Sequence, residues 1–408
     1  MVQVHPFKAI RPAKDLAEQV AALPYDVVNS QEAKELANGN PYSYFHIDKA
    51  EIDLPADVSP YDEKVYQKAA DNLAAFLEKG WLFKENEANF YLYELVMNGR
   101  SQTGIVACTS IADYIDEKIK KHEFTRHEKE IDRMNHIRTC DANTSPIFLS
   151  YRPQEEIQTI IKTWQKEHAP VYDFVSYHEV THRVWVIDHA ATSDCLAELF
   201  TKVDALYIAD GHHRTESAVK IGLEKRQSGE QNPETEQFLS IIFPEDELAI
   251  WEYNRVLKTP PPADFMERLA ENYHVTKTGA KKPEKAGDCQ LYDGTAWYTL
   301  SIKPEKVPND PVEKLDVALL QKFVLEDIFE INDIRTDKRI DFVGGIRGTE
   351  ELEKLVDSGE WKLAFSMYPT QMTDLLDVAD AKKIMPPKST WFEPKLLSGL
   401  FLHDLETK

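Results

Sequence analysis

The stretch LYIADGHHRTESAVKIG, Leu206 to Gly222, places Asp210, Gly211, His212, His213 and Arg214 in a row. The apolar run Leu206 to Ala209 predicts a short buried strand. Ala218, Val219, Ile221 and Leu223 predict an amphipathic helix from Thr215 onward. Asp210 and Gly211 fall at the junction, where a cap and a tight turn belong. Folding is satisfied by Asp-Gly; it does not ask for His-His-Arg. The first turn of a helix offers unpaired N–H groups and the positive end of the dipole, so it takes phosphate. Beside Gly211, His212, His213 and Arg214 add side-chain donors, and arginine suits bidentate phosphate contact. An anion repels Asp210 unless this carboxylate has a task. It could hold a magnesium ion that bridges phosphates, or orient or deprotonate an attacking hydroxyl. The bland reading, Asp210 as a cap and the histidines as satisfied core residues, accounts less well for five consecutive residues of this character.

A second cluster is KKHEFTRHEKEIDRMNHIRTCDANTSPIF, Lys120 to Phe148. It combines Glu123 with the hydroxyls of Thr125 and Ser145 and with basic groups at His122, Arg126, Lys129 and Arg133. His122 and Glu123 precede the helical part and follow a strand, where loops present functional groups. For Glu128, Glu130 and His136 a solvated charged helix is the better reading. His122 and His127 lack the i, i+4 spacing of a zinc protease site. A third cluster, MPPKSTWFEPKLLSGL from Met385 to Leu400, puts Lys388, Ser389 and Thr390 on a loop stiffened by Pro386 and Pro387. It has the donors of a phosphate loop without the glycine spacing of a Walker motif. On chemistry alone it reads equally well as an ordinary surface loop.

The bulk properties narrow the class. The chain has 408 residues and a formal net charge of −22, with 42% hydrophobic and 29% charged residues. That is enough for two or three domains with real cores. The acidity argues against a nucleic-acid partner, which needs a basic face, but leaves room for a local basic pocket that takes a small anion. Four scattered cysteines form no CxxC pair and fit a reducing compartment. With no signal-like start and no apolar run of membrane length, the expected location is cytoplasmic and no membrane partner is expected.

The expected fold class is α+β, mixed, with largely antiparallel sheets. Tyr61 to Phe83 reads as an amphipathic helix ending at Gly80. Phe90 to Ile111 reads as two strands joined at Asn98-Gly99, and Ser145 to Tyr151 as another. Gln154 to Glu167 reads as a helix, followed by two strands up to Asp188. Phe238 to Lys258 reads as a hairpin-like pair around PEDE. The polar span from Lys277 to Lys306 reads as a peripheral edge or insertion. Helix over 311–329, strand over 341–344, helix over 349–358, strand over 361–367 and helix over 371–379 complete the pattern. Three regions are expected: 1–115, 116–260 with the His-Glu and Asp-Gly-His-His-Arg clusters, and 261–408 with the Pro-Lys-Ser-Thr loop.

Taken in order, His122-Glu123, Asp210 to Arg214 and Pro387-Lys388-Ser389-Thr390 resemble a large bacterial family without assigned function, related to the ParB/sulfiredoxin-fold free serine kinases. The likeness to the bacterial family spans nearly the whole chain, including PYDVV at Pro24, HEFTRHEKEIDR, SPIF and MPPKSTWFEPK. The step to the kinases rests on the three short motifs. The resemblance implies a ParB/sulfiredoxin-like core, with Glu123 as base on a substrate hydroxyl and Asp210 as second catalytic carboxylate and magnesium ligand. It implies that His212, His213 and Arg214 bind phosphate; Gly211 and the basic groups Arg126, Lys129 and Arg133 are further candidates for phosphate or nucleotide. His122, Ser145, Lys388, Ser389 and Thr390 would serve the substrate. Glu123 and Asp210 lie farther apart than in the smaller kinases, so the chain carries extra structure between them. The expected activity is transfer of a phosphoryl group to a free small hydroxy compound, with L-serine first. ATP, ADP or pyrophosphate would serve as donor and Mg2+ as cofactor. The alternatives are phosphate-ester hydrolysis at the same site, or a ParB-like nucleotide-dependent regulatory or DNA-binding protein.

Overall fold

A computed structural model of the chain describes residues 1–407. It is a mixed α+β structure with largely antiparallel sheets. Contacts divide it into two units, Met1–Leu248 with the residues from Pro394 onward, and Ala249–Glu393. No helix among the described residues is long and apolar enough to cross a membrane.

The first unit is built on nine strands. These are β1 (Val4–His5), β2 (Phe90–Met97), β3 (Arg100–Ser110), β4 (Ile119–Lys120), β5 (Ile147–Tyr151), β6 (Tyr172–Val175), β7 (Thr181–Ile187), β8 (Leu206–Asp210) and β9 (Gln237–Pro244). Their order is β4-β8-β5-β9-β3-β2-β7-β6, with β1 beside β3. Strands from residues 1–115 thus share a sheet with those of residues 116–248. The turn between β2 and β3 has Asn98 at φ 52 and Gly99 at φ 77, the left-handed pair that a two-residue hairpin demands. The pairs β4–β8 and β5–β9 are parallel. Parallel pairing sets the C-terminal ends of β4 and β8 side by side, and this places the site.

Three helices cover the site's flank. Helix α1 (Glu63–Glu78) starts where the Asp62 carboxylate accepts from the Lys64 N–H at 2.9 Å. It buries Val65, Tyr66, Ala69, Leu73 and Phe76, a single apolar stripe. Helix α2 (His127–Cys140) packs against α1 on one side and α3 (His212–Ser228) on the other. That double packing corrects the solvated reading of α2. Glu128 is exposed, but Glu130 and His136 are buried. The Glu130 carboxylate accepts from Lys220 Nζ of α3 at 2.5 Å and also from Thr125 Oγ1. His136 Nε2 lies 3.0 Å from the Ile47 carbonyl.

The second unit is built on a six-stranded sheet. Its strands are β10 (Tyr253–Leu257), β11 (Tyr273–Thr278), β12 (Asp288–Tyr292), β13 (Trp297–Ile302), β14 (Ile340–Gly344) and β15 (Leu363–Met367), in the order β11-β13-β12-β15-β10-β14. Three sequence expectations are corrected here. The segment around PEDE is no hairpin: β9 pairs with β3 and β5 on its two edges, so it has no edge left for β10, which joins the second sheet. The span from Lys277 to Lys306 is no peripheral insertion either. Lys281, Lys282, Pro283 and Lys285 fill the turn before β12, while Cys289, Leu291 and Leu300 place β12 and β13 inside the sheet. The helix expected over 311–329 is also shorter, an α-turn at Asp316–Leu320 running into a π-turn at Gln321–Glu326.

Candidate active site

The strand–turn–helix read from the sequence is present: β8 ends at Asp210 and α3 begins at His212. Asp210 is not the helix cap. Gly211 takes that position at φ 92, with no side-chain cap and no acidic residue in the first turn. The first-turn N–H groups of this 17-residue helix therefore remain open to an anion. A Cβ at Gly211 would meet Arg214 Nε at 3.0 Å in addition to the left-handed strain. We expect Gly211→Ala to lose about 1–2 kcal/mol from φ alone and to shift the guanidinium. Thermal melting together with a turnover assay checks this, and a variant matching the parent in both would contradict it.

Parallel pairing of β4 with β8, Ile119 opposite Leu206 and Lys120 opposite Tyr207, brings the loop after β4 alongside this turn. The two histidines hold that loop. His212 Nε2 accepts the His122 backbone N–H at 3.4 Å, and His213 Nε2 accepts the Arg126 backbone N–H at 3.0 Å. A neutral ring that accepts at Nε2 carries its proton on Nδ1. His212 Nδ1 faces Glu123 Oε2 at 3.8 Å. Glu123 is exposed, with 55% of its side chain open, so its carboxylate is presented to solvent. Any phosphate role of His212 or His213 falls to Nδ1.

Asp210 sits between two cations, Lys395 Nζ at 3.5 Å and Arg214 Nη2 at 3.7 Å. Desolvation pushes its carboxyl up, but Lys395, then Arg214 and the Gly211 N–H, outweigh this and hold it below the ordinary range. A carboxylate so held is a weak base; it suits orienting a hydroxyl or meeting a metal. Arg214 is buried, with Nη1 donating to the Pro146 carbonyl at 2.5 Å and Nη2 3.9 Å from Asp26 Oδ2. Its Nε has no hydrogen-bond partner. Arg133 is buried beneath the Tyr25 ring, 4.0 Å from its centroid, and bonds Asp132 at 3.0 Å and Asp48 at 3.2 Å. Ser145 Oγ donates to Asp48 at 3.1 Å. A pocket is lined by Arg133, Arg214, Thr144 and Ser145 with Asn143 and His136.

Of the residues singled out in the sequence, Glu123, Asp210 to Arg214, His122, Arg126, Arg133 and Ser145 gather around this turn. Lys129 Nζ bonds the Tyr61 hydroxyl at 2.8 Å on the surface, and no contact ties it to Asp210. Lys388, Ser389 and Thr390 belong to the second unit. Sequence reasoning missed Tyr25, Asp26, Asp48 and Lys395. The first two lie in PYDVV and the last closes MPPKSTWFEPK, so these three stood in motifs already noted; no sequence signal marked Asp48.

His122, Glu123 and His212 bring ligand atoms within 4.8 Å of one another. Two nitrogens and one oxygen suit a borderline transition ion more than Mg2+, which prefers oxygen. A metal at His212 Nδ1 would have to displace the proton placed there by the His122 N–H. Asp210 alone supplies the kind of single carboxylate that Mg2+ uses when phosphate oxygens complete its shell.

The site is neutral on its histidines. Burial pushes His122 down to about 4, partly offset by Asp210 and by the Ile208 backbone, which lies near its ring without hydrogen-bond geometry. Burial, then the neighbouring His122, His213, Lys121 and Arg214, also pushes His212 well down, and burial pushes His182 down to about 3. Depressed histidines bind protons more readily unfolded than folded. Their stabilisation is therefore complete above pH 6.5 and is lost as pH falls toward 4. For His122 alone the full loss is about 3 kcal/mol at about 1.4 kcal/mol per pKa unit. The melting temperature should fall progressively from pH 6.5 to 4; a flat profile from 7 to 5 would contradict the burial of these rings.

The family described as "Protein of unknown function (DUF1015)" matches residues 4–318, and the chain belongs to that family. No curated protein matches. Among solved structures it is similar to a free serine kinase in complex with AMP, at TM-score 0.35 and 15% identity over 71% of this chain and 86% of that one. It is similar also to a conserved hypothetical protein from Pyrococcus furiosus, at 0.34 and 15% over 73% and 94%. A third is SbnI with a C-terminal truncation from Staphylococcus aureus, at 0.37 and 10% over 72% and 85%. Likeness at this level establishes neither a shared reaction nor a shared ligand.

Proposed function

We propose that the chain is a phosphotransferase that moves a phosphoryl group from a nucleotide or pyrophosphate to the hydroxyl of a free small molecule, L-serine first. One observation carries the reading. An exposed carboxylate, Glu123, and a charge-held carboxylate, Asp210, stand at adjacent ends of parallel strands beside an uncapped helix N-terminus. Phosphoryl transfer needs those parts: a base for the attacking hydroxyl, a positive cradle for phosphate and a group that fixes charge between them.

In this reading Glu123 takes the proton from the acceptor hydroxyl, and His212 and His213 hold the loop that carries it through the His122 and Arg126 N–H groups. The first-turn N–H groups of α3 and the Arg214 guanidinium meet phosphate oxygens. Asp210, ionised and flanked by cations, would hold Mg2+, which would neutralise phosphate charge. Within the second unit, the Lys388–Ser389–Thr390 turn offers donors to a carboxylate or phosphate. The test is incubation with L-serine, Mg2+ and each of ATP, ADP and pyrophosphate, followed by mass spectrometry for O-phosphoserine. Phosphoserine with one donor supports the reading; release of phosphate with none on serine supports hydrolysis instead.

A further inference from the structure

Arg255 lies on β10, an interior strand of the second sheet, where its neighbours Val256 and Leu257 are apolar and buried. It is 2% exposed and among the largest fully buried side chains of the protein. A buried arginine is ordinarily paired with a carboxylate, because desolvating the charge is costly. Arg255 has none among the described residues. Its guanidinium donates instead to two backbone carbonyls, those of Tyr253 and of Lys388, the latter at 3.0 Å. The Phe342 ring lies 5.5 Å away. Burial pulls its pKa down to about 10, so the charge persists at neutral pH.

The carbonyl it holds belongs to a strained turn. Lys388 has φ 59, a left-handed conformation that a residue with a Cβ adopts only when its surroundings require it. With that carbonyl turned inward to Arg255, the planar trans peptide turns the Ser389 N–H away from it. The Lys388 ammonium points outward and rests 3.1 Å from the Tyr253 hydroxyl. Ser389 is buried, its Oγ donating to the Pro386 carbonyl at 2.5 Å and its carbonyl accepting from Thr370 Oγ1 at 2.9 Å. The turn is thus fixed from below, with a lysine and a backbone N–H directed away from the guanidinium. Beneath them sits a positive charge that no acidic residue balances.

We propose that Arg255 is the positioning residue of an oxyanion subsite at Lys388–Thr390, setting the turn through the Lys388 carbonyl so that it receives the phosphoryl or carboxylate group of a small molecule. This rests on the reading of that turn as a substrate loop and adds the group that makes it one. The bound anion supplies the counter-charge that the second sheet lacks.

The test uses the full chain and calorimetric titration with inorganic phosphate, O-phospho-L-serine and L-serine at constant ionic strength, with melting temperatures in parallel. Binding of phosphate and phosphoserine but not serine identifies the phosphoryl group as the ligand; binding of phosphoserine and serine but not phosphate identifies the carboxylate. Arg255→Met should keep the melting temperature without ligand close to that of the parent, because an unpaired buried charge is replaced by an apolar chain of similar length. Its affinity for the ligand should fall about tenfold or more, as should that of Lys388→Ala. Arg255→Lys should recover part of the affinity, since it keeps the charge but not the two-carbonyl fork. Parent-like affinity in Arg255→Met overturns the proposal, as does Arg255→Lys binding no better than Arg255→Met. If Arg255→Met does not fold, Arg255→Lys decides alone: unchanged affinity overturns the proposal, and a loss at unchanged melting temperature supports it. A parent that binds anion through Arg255 yet phosphorylates nothing sinks the phosphotransferase reading and leaves this one standing; turnover with Arg255-independent binding does the reverse.

Discussion

Asp210→Asn should lower turnover by about 10²-fold or more while the protein remains folded at the assay temperature. The substitution keeps shape and removes charge. What it removes is specific: Asp210 balances Lys395 and Arg214 across 3.5 and 3.7 Å. Some stability goes with it, about 1–3 kcal/mol, because two largely buried cations lose a partner. Arg214 retains Asp26 and the Pro146 carbonyl, so the turn does not collapse. A purely structural role predicts a similar fall in melting temperature with near-normal turnover. Measuring both on the same preparation separates the two accounts.

Glu123→Gln should have an effect of the same order or greater, about 10²–10⁴-fold, as expected for loss of a general base. Here stability should barely move, because the side chain is exposed and glutamine keeps its shape. The loop itself is held by His212 and His213 through backbone N–H groups, which the substitution does not touch. Binding of a donor nucleotide should therefore survive in Glu123→Gln. If turnover persists within a few-fold of the parent, Glu123 is not the base, and the loop serves only to close the site.

The strand, the turn and the helix around Asp210 were legible because they are local: an apolar run, Asp-Gly and an amphipathic repeat occupy one stretch of chain. So was the β2–β3 hairpin, which Asn98-Gly99 dictates. The meeting of Glu123 with Asp210 was not legible from spacing, since it depends on the parallel pairing of β4 with β8 across most of a hundred residues of intervening chain. The roles of His212 and His213 as acceptors for loop N–H groups were hidden for the same reason. Residues on α2 misled because charge suggests solvent. Glu130 and His136 are buried between helices and satisfied there by Lys220 and the Ile47 carbonyl. The second sheet was obscured by the lysines and prolines in the turn before β12, which outweighed the apolar alternation of β12 and β13. Tyr25 and Asp26 were visible as a motif, but only the fold shows that they stand over Arg133 and Arg214.

In the proposed reaction Glu123 and Asp210 act as one catalytic unit on a hydroxyl acceptor. Its most direct test is a double-mutant comparison of O-phosphoserine formation by the parent, Glu123→Gln, Asp210→Asn and the combined variant, under the donor that supports turnover. Residues that act together in one step are strongly non-additive. The account predicts that the combined variant is scarcely slower than the worse single variant. Losses that multiply independently, or an active Glu123→Gln enzyme, would contradict it.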